Sequence, residues 1–230
     1  MSEKKLVLFD VDGTLMEGGI GHAEQGNQAM RNICGKEVDV RKFNIQGKTE
    51  KAIFTEVLQA LGYNEEEIKE LVPKVIEEEL RVFLEQVDKE ERKACPGVKR
   101  LLQKLRERNC RLGLVTGNSS EIAFAKLRQA GIAKFFSFGG FGDKVLERHQ
   151  LVEIALKSAK GQFDESYQGK QIVIIGDTKK DIDSGKPFGA KTIAVLTGVE
   201  SVEEIKPSNP DYLFKDLTET EKVLEAIFSD

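Results

Sequence analysis

Residues 6–15 read Leu6-Val7-Leu8-Phe9-Asp10-Val11-Asp12-Gly13-Thr14-Leu15, an apolar run that ends in two carboxylates one residue apart. An unbroken β-forming run predicts a buried strand. Burying Asp10 and Asp12 beside it is costly without a partner. Gly13 and Thr14 break the strand into a turn, so both acids belong where it emerges. Alternate strand residues point to the same side, which lets Asp10 and Asp12 project together. Carboxylates held this close repel unless a cation shares them, and Mg²⁺ takes oxygen ligands of this type. An acidic turn after an edge strand is the plain alternative, and the run before the acids is too apolar for it.

Composition narrows the class. The chain has 230 residues, 40% hydrophobic and 32% charged, as in a soluble globular protein. That length accommodates one domain or two. The net charge is −4 with lysines interspersed among acids, which gives no basic footprint for nucleic acid. Met1 to Lys5 lead into four apolar residues, too few for a signal peptide or a membrane span. Cys34, Cys95 and Cys110 form an odd set without CxxC spacing, and the expectation is reduced thiols in a cytoplasmic protein. No paired-histidine pattern supports a catalytic cysteine. With only His22 and His149 present, a zinc site is poorly supported.

The rhythm of the chain changes twice. From about residue 17 to 92 there is almost no strand signal, and helices are predicted over 25–33, 50–61 and 65–84. Ile53, Phe54, Val57, Leu58 and Leu61 lie on one helical stripe, with Gly62 as a stop. Pro73 falls inside the third helical pattern, so a break or kink is expected near it. After Cys95-Pro96-Gly97, helices and strands alternate. Helices are predicted from 98 to 105, from Ser119 or Ser120 to 130, around 151–159 and over 218–228. Strands are predicted at 111–115, 135–138, 171–175, 191–196 and 211–214. Alternation of this kind implies a doubly wound parallel sheet. The simplest architecture is an α/β core of residues 1–16 and 93–230, with a helical insertion of residues 17–92 after the first strand.

Three polar turns follow apolar strands: Asp10/Asp12, Thr116-Gly117-Asn118, and Asp177 with Asp181. Ligands of open α/β sheets bind beyond the carboxyl ends of the strands, which is where each of these turns falls. Helix capping explains any one of them but not three with complementary chemistry.

Asp10-Val11-Asp12-Gly13-Thr14 resembles the DxDGT signature of the haloacid dehalogenase superfamily, mostly Mg²⁺-dependent phosphohydrolases. Thr116 matches the Ser/Thr of the second motif, and Gly176-Asp177-Thr178-Lys179-Lys180-Asp181 matches the GDxxxD form of the fourth. The insertion resembles the C1-type helical cap domain of phosphoglycolate phosphatases and β-phosphoglucomutases. The resemblance implies a Rossmann-like α/β fold and a phosphoryl-transfer site. Asp10 is then the nucleophile, and Asp12 the acid that protonates the leaving oxygen and later activates water. Mg²⁺ is expected on the Asp10 carboxylate, the Asp12 backbone carbonyl and Asp177, with Asp181 either a further ligand or, as preferred, acting through water. Asp183 lies outside the motif spacing and is expected to face solvent. Thr116 and the amides of Gly117 and Asn118 suit phosphate oxygens.

The family places a basic residue between the second and fourth motifs, and its common Lys-Pro form is absent. Lys144 and Arg148 are the candidates. Arg148 is preferred because it shortly precedes a helix and its fork grips phosphate with two donors. Lys179 and Lys180 are expected to be exposed. Gly47-Lys48-Thr49 resembles the cap loop that faces the active site, and Lys48 is a candidate for neutralising an acidic substrate.

The leading expectation is a phosphatase acting on a small phosphorylated metabolite, such as phosphoglycolate or a sugar phosphate. A β-phosphoglucomutase-like phosphomutase shares every catalytic residue and is the alternative. Asp12 argues against dehalogenation, and neither Lys48 nor Lys51 clearly matches a Schiff-base lysine of phosphonoacetaldehyde hydrolysis. A phospho-accepting receiver module fits less well, being shorter, uncapped and phosphorylated in mid-chain. The oligomeric state is not encoded in these motifs.

Overall fold

A computed structural model describes residues 4–18, 22–89 and 91–229. Six strands form one sheet: β1 (Leu6–Phe9), β2 (Arg111–Thr116), β3 (Gly139–Phe141), β4 (Ile172–Gly176), β5 (Lys191–Val195) and β6 (Tyr212–Phe214). Their order is β3-β2-β1-β4-β5-β6 and every pairing is parallel. In the central strand, Phe9 lies opposite Leu114 on one side and Ile175 on the other. The winding direction reverses between β1 and β4, the crevice where doubly wound sheets bind ligands.

Strand alternation explains the two cores. Val7 and Phe9 face one cluster, with Leu101 and Leu105 of α4 (Val98–Glu107), Ala123 and Leu127 of α5 (Ser120–Gln129), and Ile227 of α9 (Thr220–Phe228). Leu6 and Leu8 face the other, with Leu151, Val152 and Ala155 of α6 (Arg148–Phe163). Each of the fully buried Val, Leu, Ile and Phe side chains among these contributes about 1.5–3 kcal/mol. The short helices α7 (Lys179–Gly185) and α8 (Val202–Ile205) bury Ile182 and Ile205 against Ala194.

Between β1 and α4 come α1 (Ala23–Cys34), α2 (Glu50–Ala60) and α3 (Glu65–Gln86), which share a separate core around Met30, Phe54, Val57, Leu58, Val72 and Val75. Of the break or kink expected near Pro73, the break is absent, and α3 runs through it as one helix. Proline costs a helix interior roughly 3 kcal/mol. Here the Asn64 capping box and the burial of Ile68, Val72, Val75, Val82 and Phe83 along the same helix outweigh that cost.

The strand expected at 135–138 also fails. Ala133–Phe135 is a 3₁₀ turn, and β3 begins at Gly139. A side chain on Gly139 would lie 2.6 Å from the Leu114 carbonyl, and one on Gly140 2.0 Å from the Leu151 carbonyl. The edge strand is therefore set by close backbone approach, while Phe136 and Phe138 fill the two cores. Among the described residues, no helix is long and apolar enough to cross a membrane. Cys34, Cys95 and Cys110 are free thiols.

Candidate active site

Asp10 leaves the end of β1 with its N–H donating to the Ile175 carbonyl of β4 at 3.0 Å. Asp177 leaves the end of β4 and is buried alongside. The turn between Asp10 and Thr14 locks the two together. Thr14 Oγ1 donates to Asp177 Oδ1 at 2.8 Å. Gly13 sits at φ +83°, and a Cβ there would fall 2.4 Å from Asp177 Oδ2. A Cβ on Gly198 would fall 1.7 Å from the same oxygen. Two glycines thus cradle one carboxylate.

Asp181 completes the acidic group. Its Oδ2 accepts from the Thr178 amide at 3.0 Å and hydroxyl at 2.6 Å, in the capping box that opens α7. Its Oδ1 accepts from Arg148 Nε at 2.8 Å. Arg148, buried at the start of α6, also reaches Asp10 Oδ1 with Nη2 at 2.5 Å. Carboxylate oxygens of Asp10, Asp177 and Asp181 all lie within 4.8 Å of one another.

The electrostatics of this group are unbalanced. Burial above all, then Asp181, pushes the Asp10 carboxyl up to about 7 despite Arg148. Burial and the charges of Asp10 and Asp181 hold Asp177 well above the usual carboxylate range. One guanidinium faces three buried acids, so a divalent cation fits the donor set. Both Asp181 oxygens are engaged. Among the described residues nothing hydrogen-bonds the second oxygen of Asp10 or of Asp177, so these two are placed to ligate.

Asp12 turns away from this group. Its oxygens accept from Lys126 Nζ at 2.8 and 2.7 Å and from Asn118 Nδ2 at 2.9 Å. Burial opposes ionisation of Asp12, but Lys126, helped by Asn118, holds its carboxyl below the usual range. Asn118 also donates to Thr116 Oγ1 at 2.7 Å, so the turn after β2 is tied to the turn after β1.

The helical insertion closes over this edge of the sheet. Glu50 N–H donates to the Gly117 carbonyl at 2.9 Å, and Lys51 N–H to that of Gly142 at 3.1 Å. Arg148 Nη1 donates to the Gly47 carbonyl at 3.2 Å. A Cβ on Gly117 would meet the Lys48 carbonyl at 2.1 Å, so only glycine permits this approach. The cleft between them is lined by Asp10, Asp12, Thr116, Gly117, Asn118, Arg148 and Asp177 from the sheet and its flanking helices. His22, Lys48, Glu50 and Glu79 line it from the insertion.

The structure brings together Asp10, Asp12, Thr116, Gly117, Asn118, Arg148 and Asp177. Lys144 stays outside, exposed and paired with Asp143. Asp183 pairs with Lys186 at the surface. Lys48 borders the cavity, but its ammonium is held by Glu56 and the Phe43 carbonyl. Lys180 is half-buried rather than exposed, donates to the Gln46 carbonyl at 3.0 Å, and burial lowers its ammonium to about 8. Lys126 is the residue that sequence reasoning missed. In the sequence it is one more polar position on an amphipathic helix, and nothing local marks it as buried.

A family model described as haloacid dehalogenase-like hydrolase matches residues 7–195. The chain belongs to this family. Haloacid dehalogenase-like hydrolases similar to it include a phosphoglycolate phosphatase of Vibrio cholerae, 29% identical over 94% of this chain and 95% of the relative. A phosphorylated carbohydrates phosphatase of Thermotoga maritima is 25% identical over 81% and 82% of the two chains. The crystal structure of a predicted phosphatase from Clostridium acetobutylicum superposes with a TM-score of 0.74 at 22% identity, over 97% of this chain and 100% of that one. This last likeness speaks to the fold alone.

Proposed function

We propose that the chain is a Mg²⁺-dependent phosphatase that hydrolyses a small phosphorylated metabolite, phosphoglycolate-like or sugar-phosphate-like, through an aspartyl-phosphate on Asp10. The observation that carries this reading is Asp10 held between Arg148 and the acids Asp177 and Asp181, with Asp12 poised on a separate anchor. The phosphatase relatives support the reaction class. Residues 1–16 and 93–230 act as the catalytic core and residues 17–92 as its cap. The free thiols fit a cytoplasmic setting.

The chemistry divides one difficult displacement into two. The Asp10 carboxylate attacks phosphorus, the ester P–O bond breaks, and Asp12, carrying a proton in the substrate complex against the pull of Lys126, gives that proton to the leaving oxygen. Ionised Asp12 then takes a proton from water as that water attacks the acyl phosphate. Phosphate leaves, and the Asp10 carboxylate is restored with Asp12 again protonated. Arg148 holds the Asp10 carboxylate in place and has one Nη1–H left to orient a phosphoryl oxygen, and Thr116 with the Gly117 and Asn118 turn supplies further donors. Asp10, Asp177 and the Asp12 carbonyl would hold Mg²⁺, which would supply the positive charge that lets an anionic nucleophile meet an anionic substrate. The cap contacts at Gly47, Glu50 and Lys51 exclude bulk water.

The test is phosphate release from a panel of phosphomonoesters with Mg²⁺ and again in excess chelator. Release with Mg²⁺ that stops with chelator is expected, and no release from any ester overturns the reading. Activity that depends on an added sugar bisphosphate would instead assign a phosphomutase.

A further inference from the structure

The cavity has a second polar end that the chemistry of Asp10 does not use. His22, Glu50 and Glu79 come from the start of α1, the start of α2 and the middle of α3, and all three border the cavity. Both glutamates are 3% exposed. Lys126 is committed as a cation to Asp12 and lies 3.1 Å from His22 Nδ1. An ammonium only donates, so Nδ1 accepts and the imidazole proton sits on Nε2. That N–H faces Glu50 Oε1 at 3.2 Å and Glu79 Oε1 at 3.4 Å.

The remaining oxygens, Glu50 Oε2 and Glu79 Oε2, are buried and hydrogen-bond nothing among the described residues. Buried acceptors without a donor are rare in folded proteins. The cluster is built for its place: a Cβ on Gly26 would lie 3.0 Å from Glu79 Oε1, so glycine makes room for the carboxylate. A metal ion is disfavoured here, because the His22 nitrogen that faces the acids already carries a proton. Lys126 offsets the charge of Glu79 only in part. Lys48 is taken by Glu56, and Lys180 by the Gln46 carbonyl. Burial beside Glu50 also holds the Glu79 carboxyl well above the usual range, as expected where negative charge lacks a partner.

We propose that Glu50 and Glu79 recognise the leaving-group side of the substrate through a hydrogen-bond donor, a hydroxyl or an ammonium, and select against a carboxylate there. This rests on the phosphatase reading and narrows it. A leaving group with hydroxyls or an amine supplies the donors that both orphan oxygens lack. A leaving group with a carboxylate brings negative charge against a buried acidic pair and supplies no donor.

The test compares kcat/KM, with Mg²⁺, for four small esters: 2-phosphoglycolate, glycerol 3-phosphate, phosphoethanolamine and ethyl phosphate. The hydroxyl or the ammonium ester is expected to exceed 2-phosphoglycolate by at least about tenfold, and the ranking of those two tells hydroxyl from ammonium. In Glu79→Gln and Glu50→Gln that ratio is expected to fall towards one. Preference for 2-phosphoglycolate by the unaltered enzyme overturns the inference without needing either variant to fold. An unchanged ratio in both folded variants overturns it as well. Release from none of the four overturns the phosphatase reading itself, and this inference with it.

Discussion

Lys126 Nζ lies 2.8 and 2.7 Å from the two carboxylate oxygens of Asp12, and its side chain is 1% exposed against 23% for the acid. A buried lysine thus holds a half-buried aspartate by both oxygens, from a helix more than a hundred residues away in sequence. The contact fixes where the Asp12 carboxylate sits and favours its ionised form. Lys126→Met is expected to lower kcat by about 10²-fold, the lower end of what a positioned acid–base group contributes. The acidic limb of the kcat profile should move to higher pH, since the charge that keeps Asp12 ionised is gone. Lys126→Arg should restore part of the rate. A profile that does not move would assign Lys126 a packing role only.

Arg148 and Lys144 are separated by burial. Arg148→Ala leaves Asp10 and Asp181 buried beside Asp177 without their counter-ion, and removing one partner of a buried pair costs about 3–5 kcal/mol. Activity is expected to fall at least about 10³-fold, the scale seen when a transition-state donor is lost. Lys144→Ala removes an exposed charge paired with Asp143, worth under about 1 kcal/mol, and should leave the rate within about twofold. Steady-state kinetics of the two variants decide, and the reverse ranking would move the phosphate-binding role to Lys144.

Stability should depend on pH in a direction set by the raised carboxyls. Asp10, at about 7, and Asp177 hold protons more tightly folded than unfolded. Their stabilising contribution is therefore present at low pH and lost as pH rises through the folded values. His22 opposes this only below its ordinary 6.5, because burial lowers its pKa and keeps it neutral. Between about pH 4 and 7, in chelator, folding stability should fall as pH rises, by at most about 1.4 kcal/mol per pH unit for each group and less steeply below 6.5 where His22 opposes it, and the melting temperature follows. Added Mg²⁺ should flatten that slope. A slope that Mg²⁺ does not change would place the cation away from Asp10 and Asp177.

The close approach of the Gly47–Lys51 segment to Gly117 is testable by one methyl group. Gly117→Ala places a Cβ 2.1 Å from the Lys48 carbonyl, against backbone that has no soft route of escape. The Gly47–Lys48 segment must shift, which also disturbs the bond from Arg148 to the Gly47 carbonyl. A loss of kcat/KM of about tenfold or more is expected, as misplacement of this size disturbs reacting geometry. Unchanged kinetics would mean that this contact is not part of catalysis.

Much of this was legible in the sequence because it is local. The run from Leu6 to Thr14 announces a buried strand ending in acids, and Thr116 and Asp177 announce themselves likewise at strand ends. The helices from 23 to 86 follow from their apolar stripes, apart from Pro73, where burial along α3 overrides the proline. What was illegible is what only the fold assembles. Lys126 reaches Asp12 across the sheet edge, and His22, Glu50 and Glu79 meet from three helices. Gly139 to Phe141 lacks strand propensity because its register is fixed by close backbone contact rather than by side chains.

The central claim is that Asp10 is the nucleophile. Asp10→Asn keeps the size and the fold of the turn, and removes the carboxylate that must attack phosphorus. Phosphate release with Mg²⁺ should be abolished for every ester that the unaltered enzyme cleaves. Acid-quenched peptide mass spectra of the unaltered enzyme during turnover should carry the phosphoryl adduct on the peptide containing Asp10. Retained phosphate release by the folded Asp10→Asn variant would contradict the account.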